Sequence, residues 1–316
     1  MFSYTYDGKK GIDIVETPNW RLVIRRLGAE VIGLRSLKHA IGLIWRDGLT
    51  DDPEKFWKSH ATLLFPIVGG LHNHRSKTTQ GDEVSFPGLH GFVRKRELEL
   101  GYVGEVDGGF KLSYQLKSDD ATKAMYPWDF VYSVEYFLDS NGLFTRITVK
   151  NTGNRTMPFQ VGWHPGFALP FKSGTKADCK LKLPAQPITF LENDDDCKLT
   201  GGSFLVDGTV DFPFTERGLD RTYMIDLSNV EPSKRKVSLL DHDEQYGVVV
   251  SFADFPHLGI WSDAGAPFIC IEPWQGMDDR VIQEPFDQKF GIVHLPPGAI
   301  DSRTASIQMI TPTNSV

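Results

Sequence analysis

The strongest constraint on the fold is a pair of long alternating segments joined by a tight turn. FVYSVEYFL (130–138) is followed by DSNG and then by LFTRITVKN (143–151). Both segments are rich in the β-branched and aromatic residues that favour strands. Asn141 and Gly142 tolerate the positive φ that hairpin turns require. The stretch therefore predicts a long antiparallel β-hairpin.

Short runs of the same kind, separated by Gly, Asn, Asp and Pro, occur along most of the chain. They predict further strands at 20–26, 29–37, 41–47, 110–118, 244–252, 257–263, 268–274 and 304–310. In the run 110–118, Leu112, Tyr114 and Leu116 fall on one face. Helical patterns are limited to a short helix at 50–60 and one turn at 284–291. We predict an all-β protein in which packed antiparallel sheets form a single domain over residues 1–316.

Composition limits the partners of the chain. The 316 residues carry a formal net charge of −7 and show no extended cluster of Lys and Arg. Nucleic acids and anionic membranes favour such clusters, so neither is an expected partner. The three cysteines form no CxxC pair, which favours a reducing compartment. Without a visible signal peptide or a long apolar segment, we expect a cytoplasmic protein.

Several common functional motifs are missing from the sequence. It has no GxSxG elbow, no P-loop, no GxGxxG after a strand and no HExxH. The acidic clusters at 193–198 and 241–245 lack the spacing of a calcium-binding loop. Hydrolase, nucleotide-binding and zinc-protease functions are therefore not indicated, and we predict neither a metal nor a cofactor.

Three stretches could carry chemistry. In PFICIEPWQGMDD (267–279), Glu272 ends an apolar strand that Pro273 is expected to stop, and a buried carboxylate is costly unless it is paired. Its alternative role is a structural ion pair with an arginine. In VGWHPGFALP (161–170), Pro165 is expected to end a strand just after His164. In FPGLHGF (86–92), flanking glycines can bring His90 close to a ligand, or His90 is a plain turn residue.

Other residues near these stretches are candidates for ligand binding. Trp274 could stack on the apolar face of a sugar, although plain packing is the usual role of Trp. Asp220, just before a predicted strand, could accept hydrogen bonds from hydroxyl groups. His72 and His74 could face one side of a strand, but no third metal ligand is evident. Cys270 alternates with Glu272 and so shares its face.

Taken together, these motifs resemble the aldose 1-epimerase, or galactose mutarotase-like, family. FPIVGGL and GLHGFVR come first, GWHPGF follows, and IEPW comes late, in the order of that family. YPWDFVYSVEY (126–136) and GLDRTYMIDL (218–227) also look like family segments. The match covers roughly residues 20 to 310. It implies a β-supersandwich of large twisted antiparallel sheets, with an open cleft for a sugar.

The resemblance also implies an activity and a set of residue roles. The implied reaction is interconversion of the α and β anomers of a hexose, in a monomer or homodimer. Glu272 would be the general base at the C1 hydroxyl, and His164 the general acid at the ring oxygen. His90 would help to polarise the ring oxygen, and Asp220 would bind sugar hydroxyls. Trp163, Trp274 and His74 are further candidate sugar contacts.

The sequence departs from the family pattern at one point. Family members commonly carry an arginine where this chain has Gly69-Gly70-Leu71. Arg75 or Arg94 could supply the missing cation. Four functions therefore remain: a mutarotase for a free hexose, a mutarotase for a phosphorylated or other anionic hexose, a non-catalytic sugar-binding protein, and an interaction module. The presence of both His164 and Glu272 favours catalysis.

Overall fold

The computed structural model describes residues 2–45, 56–184, 187–206, 222–263 and 265–312. The first strands are β1 Ser3–Asp7, β2 Ile12–Glu16, β3 Trp20–Arg25, β4 Glu30–Ser36, β5 Ile41–Gly42, β6 Ala61–Leu64, β7 Arg75–Lys77 and β8 Glu83–Ser85. The middle strands are β9 Glu99–Val106, β10 Gly109–Lys117, β11 Phe130–Leu138, β12 Gly142–Asn151, β13 Met157–Phe159, β14 Val161–Ala168, β15 Lys180–Lys182 and β16 Ile188–Asn193. The last strands are β17 Leu199–Val206, β18 Tyr223–Asp226, β19 Lys236–Leu240, β20 Gly247–Ser251, β21 His257–Trp261, β22 Phe268–Gln275, β23 Val293–Leu295 and β24 Ile300–Ile310.

Helical structure is sparse in the described part of the chain. One short α-helix, α1, spans Asp120–Lys123 and begins at a capping box formed by Asp119 and Thr122. The 3-10 turns are His72–His74, Val93–Lys95, Lys176–Asp178, Pro232–Lys234 and Phe286–Gln288. The last of these confirms the turn predicted at 284–291. Of the helix predicted at 50–60, residues 56–60 are not helical, and 50–55 lie outside the described residues.

Three large sheets dominate the fold. The first joins β1 to β5 in chain order, the second has the order β15-β19-β20-β24-β12-β11-β10-β9, and the third has the order β17-β16-β18-β21-β22-β14-β6. The pairs β13-β23 and β7-β8 form two small additional sheets. All these strands pair in antiparallel fashion. The predicted all-β supersandwich is confirmed.

The predicted strands are present, with adjusted ends. The hairpin of β11 and β12 pairs Leu138 with Leu143 and Phe130 with Asn151, as the alternation of the sequence predicts. In β10, Leu112 and Tyr114 are buried, while Ser113 between them and Leu116 at the end of the face are partly buried. The strand predicted at 41–47 is reduced to two residues within its described part. Alternation therefore locates strands well, but not their ends.

Two strands continue through prolines that were expected to stop them. β14 runs through Pro165 and β22 runs through Pro273, so His164 and Glu272 lie inside strands and not at their ends. The reason lies in the pairing of the two strands. Their residue pairs are interrupted between Gly162↔Trp274 and Gly166↔Cys270. Both prolines fall in this interruption, where a missing N–H disturbs the ladder least.

The main core takes alternate residues of the two central strands of the third sheet. Trp163 and Phe167 of β14, and Ile269 and Ile271 of β22, belong to the large hydrophobic cluster and are fully buried. Each such apolar side chain stabilises the fold by about 1.5–3 kcal/mol. The residues between them, including His164, must point to the opposite face of the sheet. This alternation determines which side chains can form a site.

Within the described residues, no helix has the length and apolar character needed to cross a membrane.

The hairpin turn gives a first test of this description. Gly142 has φ +156°, and a Cβ atom at this position would overlap the backbone of Ile307 on the neighbouring strand β24. We expect Gly142→Ala to lower the free energy of unfolding by about 2 kcal/mol, because it combines a strained φ with overpacking. Urea denaturation measures the change. The exposed neighbour variant Ser140→Ala serves as the control, and equal stabilities of the two variants would contradict the turn geometry.

Candidate active site

His164 and Glu272, the two residues that most strongly indicated a site in the sequence, lie on neighbouring strands of the third sheet. His164 pairs with Thr62 on β6, and Glu272 pairs with Gly259 on β21. The register of β14 against β22 places His164 opposite Glu272. Side chains at opposed positions share a face, and alternation turns this face away from the main core. Two chain segments far apart in sequence therefore present an imidazole and a carboxylate side by side.

The two side chains are in direct contact and almost wholly buried. His164 Nε2 lies 3.1 Å from Glu272 Oε2, and the side chains are 7% and 1% exposed. The contact lacks hydrogen-bond geometry, since Glu272 Oε2 has no hydrogen-bond partner. His164 Nδ1 and Trp274 Nε1 are likewise buried without a partner. Buried polar atoms are rarely left unpaired, so this cluster is suited to a polar ligand.

Trp274 lies on the same face, two residues beyond Glu272. Its indole ring covers two glycines on the neighbouring strands. A Cβ at Gly259 would lie 2.5 Å from the ring, and a Cβ at Gly162 would lie 2.8 Å from it. Any larger residue at either position would displace the ring. These glycines thus fix a flat aromatic surface next to the carboxylate.

His90 reaches the site from a strained turn. Its φ is +65°, and the following Gly91 has φ +70° with its α-carbon packed against the backbone of Phe65. The backbone N–H of His90 donates to Gly69 O at 2.6 Å, and Gly69 N–H donates to His90 Nδ1 at 3.1 Å. The second bond makes Nδ1 an acceptor and leaves the proton of the neutral ring on Nε2. The ring centroid lies 5.3 Å from that of His164.

These groups line a cavity of about 670 Å³, called here the central cavity. Its volume is typical of a small-molecule site. Its described lining residues are Phe56, Trp57, Gly69, Leu89, His90, Arg94, His164, Asp195, Asp196, Cys197, Thr222, Met224, Trp261, Asp263, Glu272, Trp274 and Asp278. The structure thus brings together His90, Arg94, His164, Glu272 and Trp274, all predicted from the sequence.

Three aromatic residues of the lining, Phe56, Trp57 and Trp261, were missed by the sequence analysis. Trp57 stacks on His164 with ring centroids 4.7 Å apart and an interplanar angle of 24°. Trp261 meets both rings edge-on, at 5.8 Å from Trp57 and 6.1 Å from His164. The segment 50–60 indicated only a helix, and tryptophan is too often a core residue to indicate a site by itself. Together with Trp274, they surround the polar cluster with aromatic surface.

Arg94 is a cation of the described lining that has no ion-pair partner among the described residues. It lies in the 3-10 turn Val93–Lys95 and is partly buried. Burial lowers the pKa of its guanidinium, while the negative charges of Glu30 and Glu272 act in the opposite direction. Even so, an arginine stays protonated at neutral pH. Arg94 therefore contributes one positive charge to the central cavity.

Other predicted contacts lie elsewhere. Trp163 faces the main core, where its Nε1 donates to Ala61 O, because it alternates with His164 along β14. His74 is exposed in a 3-10 turn, and Arg75 begins β7 and lines a different cavity with Gln283. Neither of the two belongs to the lining of the central cavity. Asp220 lies outside the described residues.

Burial sets the protonation of the central pair. It raises the pKa of Glu272 well above the usual value. Trp274 and the positive charge of Arg94 lower this pKa, but their effects are smaller. It lowers the pKa of His164 to about 3, with a further contribution from the Arg94 charge. The pKa of His90 is also well below its usual value, again mainly because of burial. Burial therefore favours a protonated Glu272 carboxyl beside a neutral His164 imidazole in the free protein.

One set of three potential metal ligands occurs among the described residues. His164, Cys270 and Glu272 have ligand atoms within 4.8 Å of one another. This confirms that Cys270 and Glu272 share a face. Burial raises the pKa of the Cys270 thiol well above its usual value, whereas a metal ligand must be a thiolate. A metal ion would also occupy the atoms that could exchange protons with a ligand, so the two uses of the site exclude each other.

The family of the chain follows from comparison with known proteins. A model of the aldose 1-epimerase family matches residues 21–307. The chain belongs to this family, as its ordered motifs predicted.

Particular relatives point in the same direction. The chromosomal protein LacX of Lactococcus lactis subsp. lactis is 31% identical over 282 residues, which cover 83% of this chain and 88% of LacX. The crystal structure of a galactose mutarotase related enzyme from Lactobacillus acidophilus has a TM-score of 0.84 and 28% identity, with 96% of this chain and 99% of that chain covered. A galactose mutarotase-like protein from Lactobacillus casei has a TM-score of 0.81 and 22% identity, with 95% and 100% covered. The fold is that of the galactose mutarotase-like proteins.

The pKa of His164 leads to a prediction about acid stability. Because the folded pKa is about 3 and the unfolded value is about 6.5, the unfolded state binds more protons between these values. The contribution of a neutral His164 is thus complete above about pH 6.5 and is lost as pH falls towards 3. Between pH 7.5 and 5 this loss amounts to about 2 kcal/mol. We expect His164→Gln to reduce the fall in unfolding free energy by that amount, as measured by urea denaturation. Equal falls in variant and wild type would contradict the assignment.

Proposed function

We propose that this protein interconverts the α and β anomers of a free hexose, with Glu272 and His164 exchanging protons with the sugar. The observation that carries this proposal is the direct opposition of the two side chains, 3.1 Å apart, in a cavity of sugar size. Anomer interconversion opens the ring by breaking the C1–O5 bond. One group must take a proton from O1 while another delivers one to O5. Since both oxygens are bonded to C1, the acid and the base must be close neighbours.

The remaining groups have supporting roles in this reaction. In the proposed roles, Glu272 accepts the O1 proton and His164 protonates O5. The Nε2–H of His90 donates a hydrogen bond to the ring oxygen. Trp57, Trp261 and Trp274 offer apolar surface to the carbon faces of the sugar, a common mode of sugar binding by aromatic rings. Ring closure on either face of the aldehyde reverses the two proton transfers and gives either anomer.

The reaction requires that the Glu272–His164 pair hold one proton. Burial in the free protein favours the form in which that proton is on Glu272. The proposed direction needs it on His164, and sugar hydroxyls together with the Arg94 charge would favour this ionised form by replacing lost solvation. A strongly buried carboxylate is then a stronger base than one in water, because its pKa is raised. The pair is thus suited to transfer protons near neutral pH.

The charge of the cavity favours a neutral sugar over an anionic one. Among the described lining residues, Asp195, Asp196 and Asp263 are acidic, beside Glu272, whose protonated form burial favours, and Asp278, which pairs with Lys198. Arg94 provides positive charge, but one guanidinium does not offset the first three. An added phosphate would bring further negative charge into a partly buried site, where charge repulsion is strong. We therefore place the free hexose ahead of the phosphorylated one.

The central test removes the proposed base while keeping its shape. We expect Glu272→Gln to lower the rate of catalysed anomer equilibration at least about 100-fold, because general acid–base catalysis typically contributes this much or more. Polarimetry on freshly dissolved α-glucose and α-galactose measures the rate above the spontaneous reaction. Asp13→Asn is the matched control, since Asp13 is a fully buried carboxylate paired with Arg26 away from the cavity. It should destabilise the fold but leave the rate constant intact. Wild-type activity in Glu272→Gln would refute the proposed mechanism.

The acidic lining of the cavity predicts a preference for neutral over phosphorylated sugars. We expect kcat/KM for glucose and galactose to exceed that for their 6-phosphates by about 10-fold or more, since the cavity is acidic. Exchange NMR at pH 7.5 measures both series without optical interference. A preference for the phosphorylated sugars would instead support the mutarotase for anionic hexoses.

A further inference from the structure

Asp278 places an unused hydrogen-bond acceptor at the central cavity. It follows β22, lines the cavity, and its side chain is only 6% exposed. Its Oδ1 accepts from Lys198 Nζ at 2.6 Å and from the backbone N–H of Asp279 at 2.7 Å. Its Oδ2 accepts no hydrogen bond from a described residue, while the residue itself lines the cavity. One carboxylate oxygen is thus held fixed while the other is available.

The carboxylate occupies space that one glycine leaves open. Gly69 has φ +66°, and any Cβ there would collide with Asp278 Oδ2 and Cγ. The same glycine holds His90 through two hydrogen bonds with its ring and backbone. Asp278 and His90 therefore both pack against one residue. Both also line the central cavity, so the acceptor belongs to the cavity that is proposed to hold the sugar.

Lys198 reaches this point from a different part of the sheet. It immediately precedes the edge strand β17, and its side chain is 14% exposed. Its Nζ lies 3.5 Å from the position of a Cβ at Gly70, an ordinary contact distance, so it packs beside this glycine. Burial raises the pKa of the Asp278 carboxyl, and the Lys198 charge is the strongest opposing effect. Lys198 thus fixes the orientation of Asp278 and favours its charged form.

We propose that Asp278 is a specificity-determining residue that binds a hydroxyl group of a neutral sugar through Oδ2, and that Lys198 is its positioning residue. This inference rests on the proposed function only in taking the cavity to be a sugar site. A fixed, charged acceptor gives strong hydrogen bonds to hydroxyl donors. A site built for a hydroxyl also rejects analogues that lack it, because its buried acceptor is then left unpaired. The ligand class is therefore a neutral hexose with a free hydroxyl at one defined position.

The experiment compares variants across sugars that each lack one hydroxyl. Wild type and Asp278→Asn are assayed with glucose, galactose and their 2-, 3-, 4- and 6-deoxy forms. In wild type, we expect one deoxy sugar to have KM raised about 10- to 100-fold, the range for a hydrogen bond to a charged group. Asp278→Asn should raise KM by a similar factor for the complete sugars, and have little effect for that one deoxy sugar. A uniform effect on all sugars would overturn the proposal.

Lys198 is tested by removal and by conservative rescue. Lys198→Met should raise KM for the same sugars, and KM should rise further as pH is lowered from 8 to 6, because Asp278 then becomes protonated more readily. Lys198→Arg should restore most of the affinity. The control is Lys182→Met, which breaks the ion pair between Lys182 and Glu244, outside the cavity lining. It should lower thermal stability without changing the ratios of KM among sugars. Equal KM ratios in Lys198→Met and wild type would contradict the positioning role.

Binding measurements separate this proposal from the proposed function. Quenching of tryptophan fluorescence gives Kd for the same sugars, since three indoles line the cavity. Suppose that wild type catalyses no equilibration, but Asp278→Asn binds the complete sugars more weakly and the one deoxy sugar equally well. The subsite is then supported and the catalytic function fails. If wild type is active but the variant loses affinity for all sugars alike, the catalytic function is supported and the subsite fails. Absence of both activity and binding would overturn both.

Discussion

The site depends on one constraint, which is the burial of a carboxylate beside an imidazole in the middle of an apolar sheet. Each charged form is costly there, so burial favours the neutral form of the pair, and a polar group that enters the cavity would shift this balance. The register of β14 against β22 creates this situation, because it opposes His164 and Glu272 on the face turned from the main core. Trp274, His90 and the neighbouring glycines then complete the surroundings. The strand pairing that builds the third sheet therefore also positions the residues of the site.

The family and its fold narrow the function but do not identify the substrate. The chain belongs to the aldose 1-epimerase family, whose model matches residues 21–307. At the edge of the central cavity, Gly69 leaves the space that Asp278 occupies, and Lys198 pairs with this carboxylate. Arg94 and the acidic residues determine the charge of the cavity. The proposed proton transfer and the proposed choice of sugar thus involve different parts of the structure.

The sequence predicts some levels of this organisation better than others. Alternation predicts β10, β11 and β12 well, because a half-buried strand imposes a period of two on its residues. It misses strands such as β17, LTGGSFLV, whose glycines weaken the pattern. The ordered motifs identify Glu272, His164 and His90. Trp57, Trp261 and Asp278 are not identified, because their approach to the cavity depends on tertiary packing, and Trp163 is misplaced because one step along a strand reverses the face.

The two prolines have a consequence for how this sheet can assemble. Pro165 and Pro273 were expected to end their strands, and instead they coincide with the interruption in pairing beside the central pair. Neither residue can donate a backbone hydrogen bond in any alternative alignment. A shift of one strand against the other would move both prolines out of the interruption and into positions that need a donor. The two prolines therefore penalise a shifted pairing of β14 with β22, and so favour the alignment in which His164 and Glu272 are opposed.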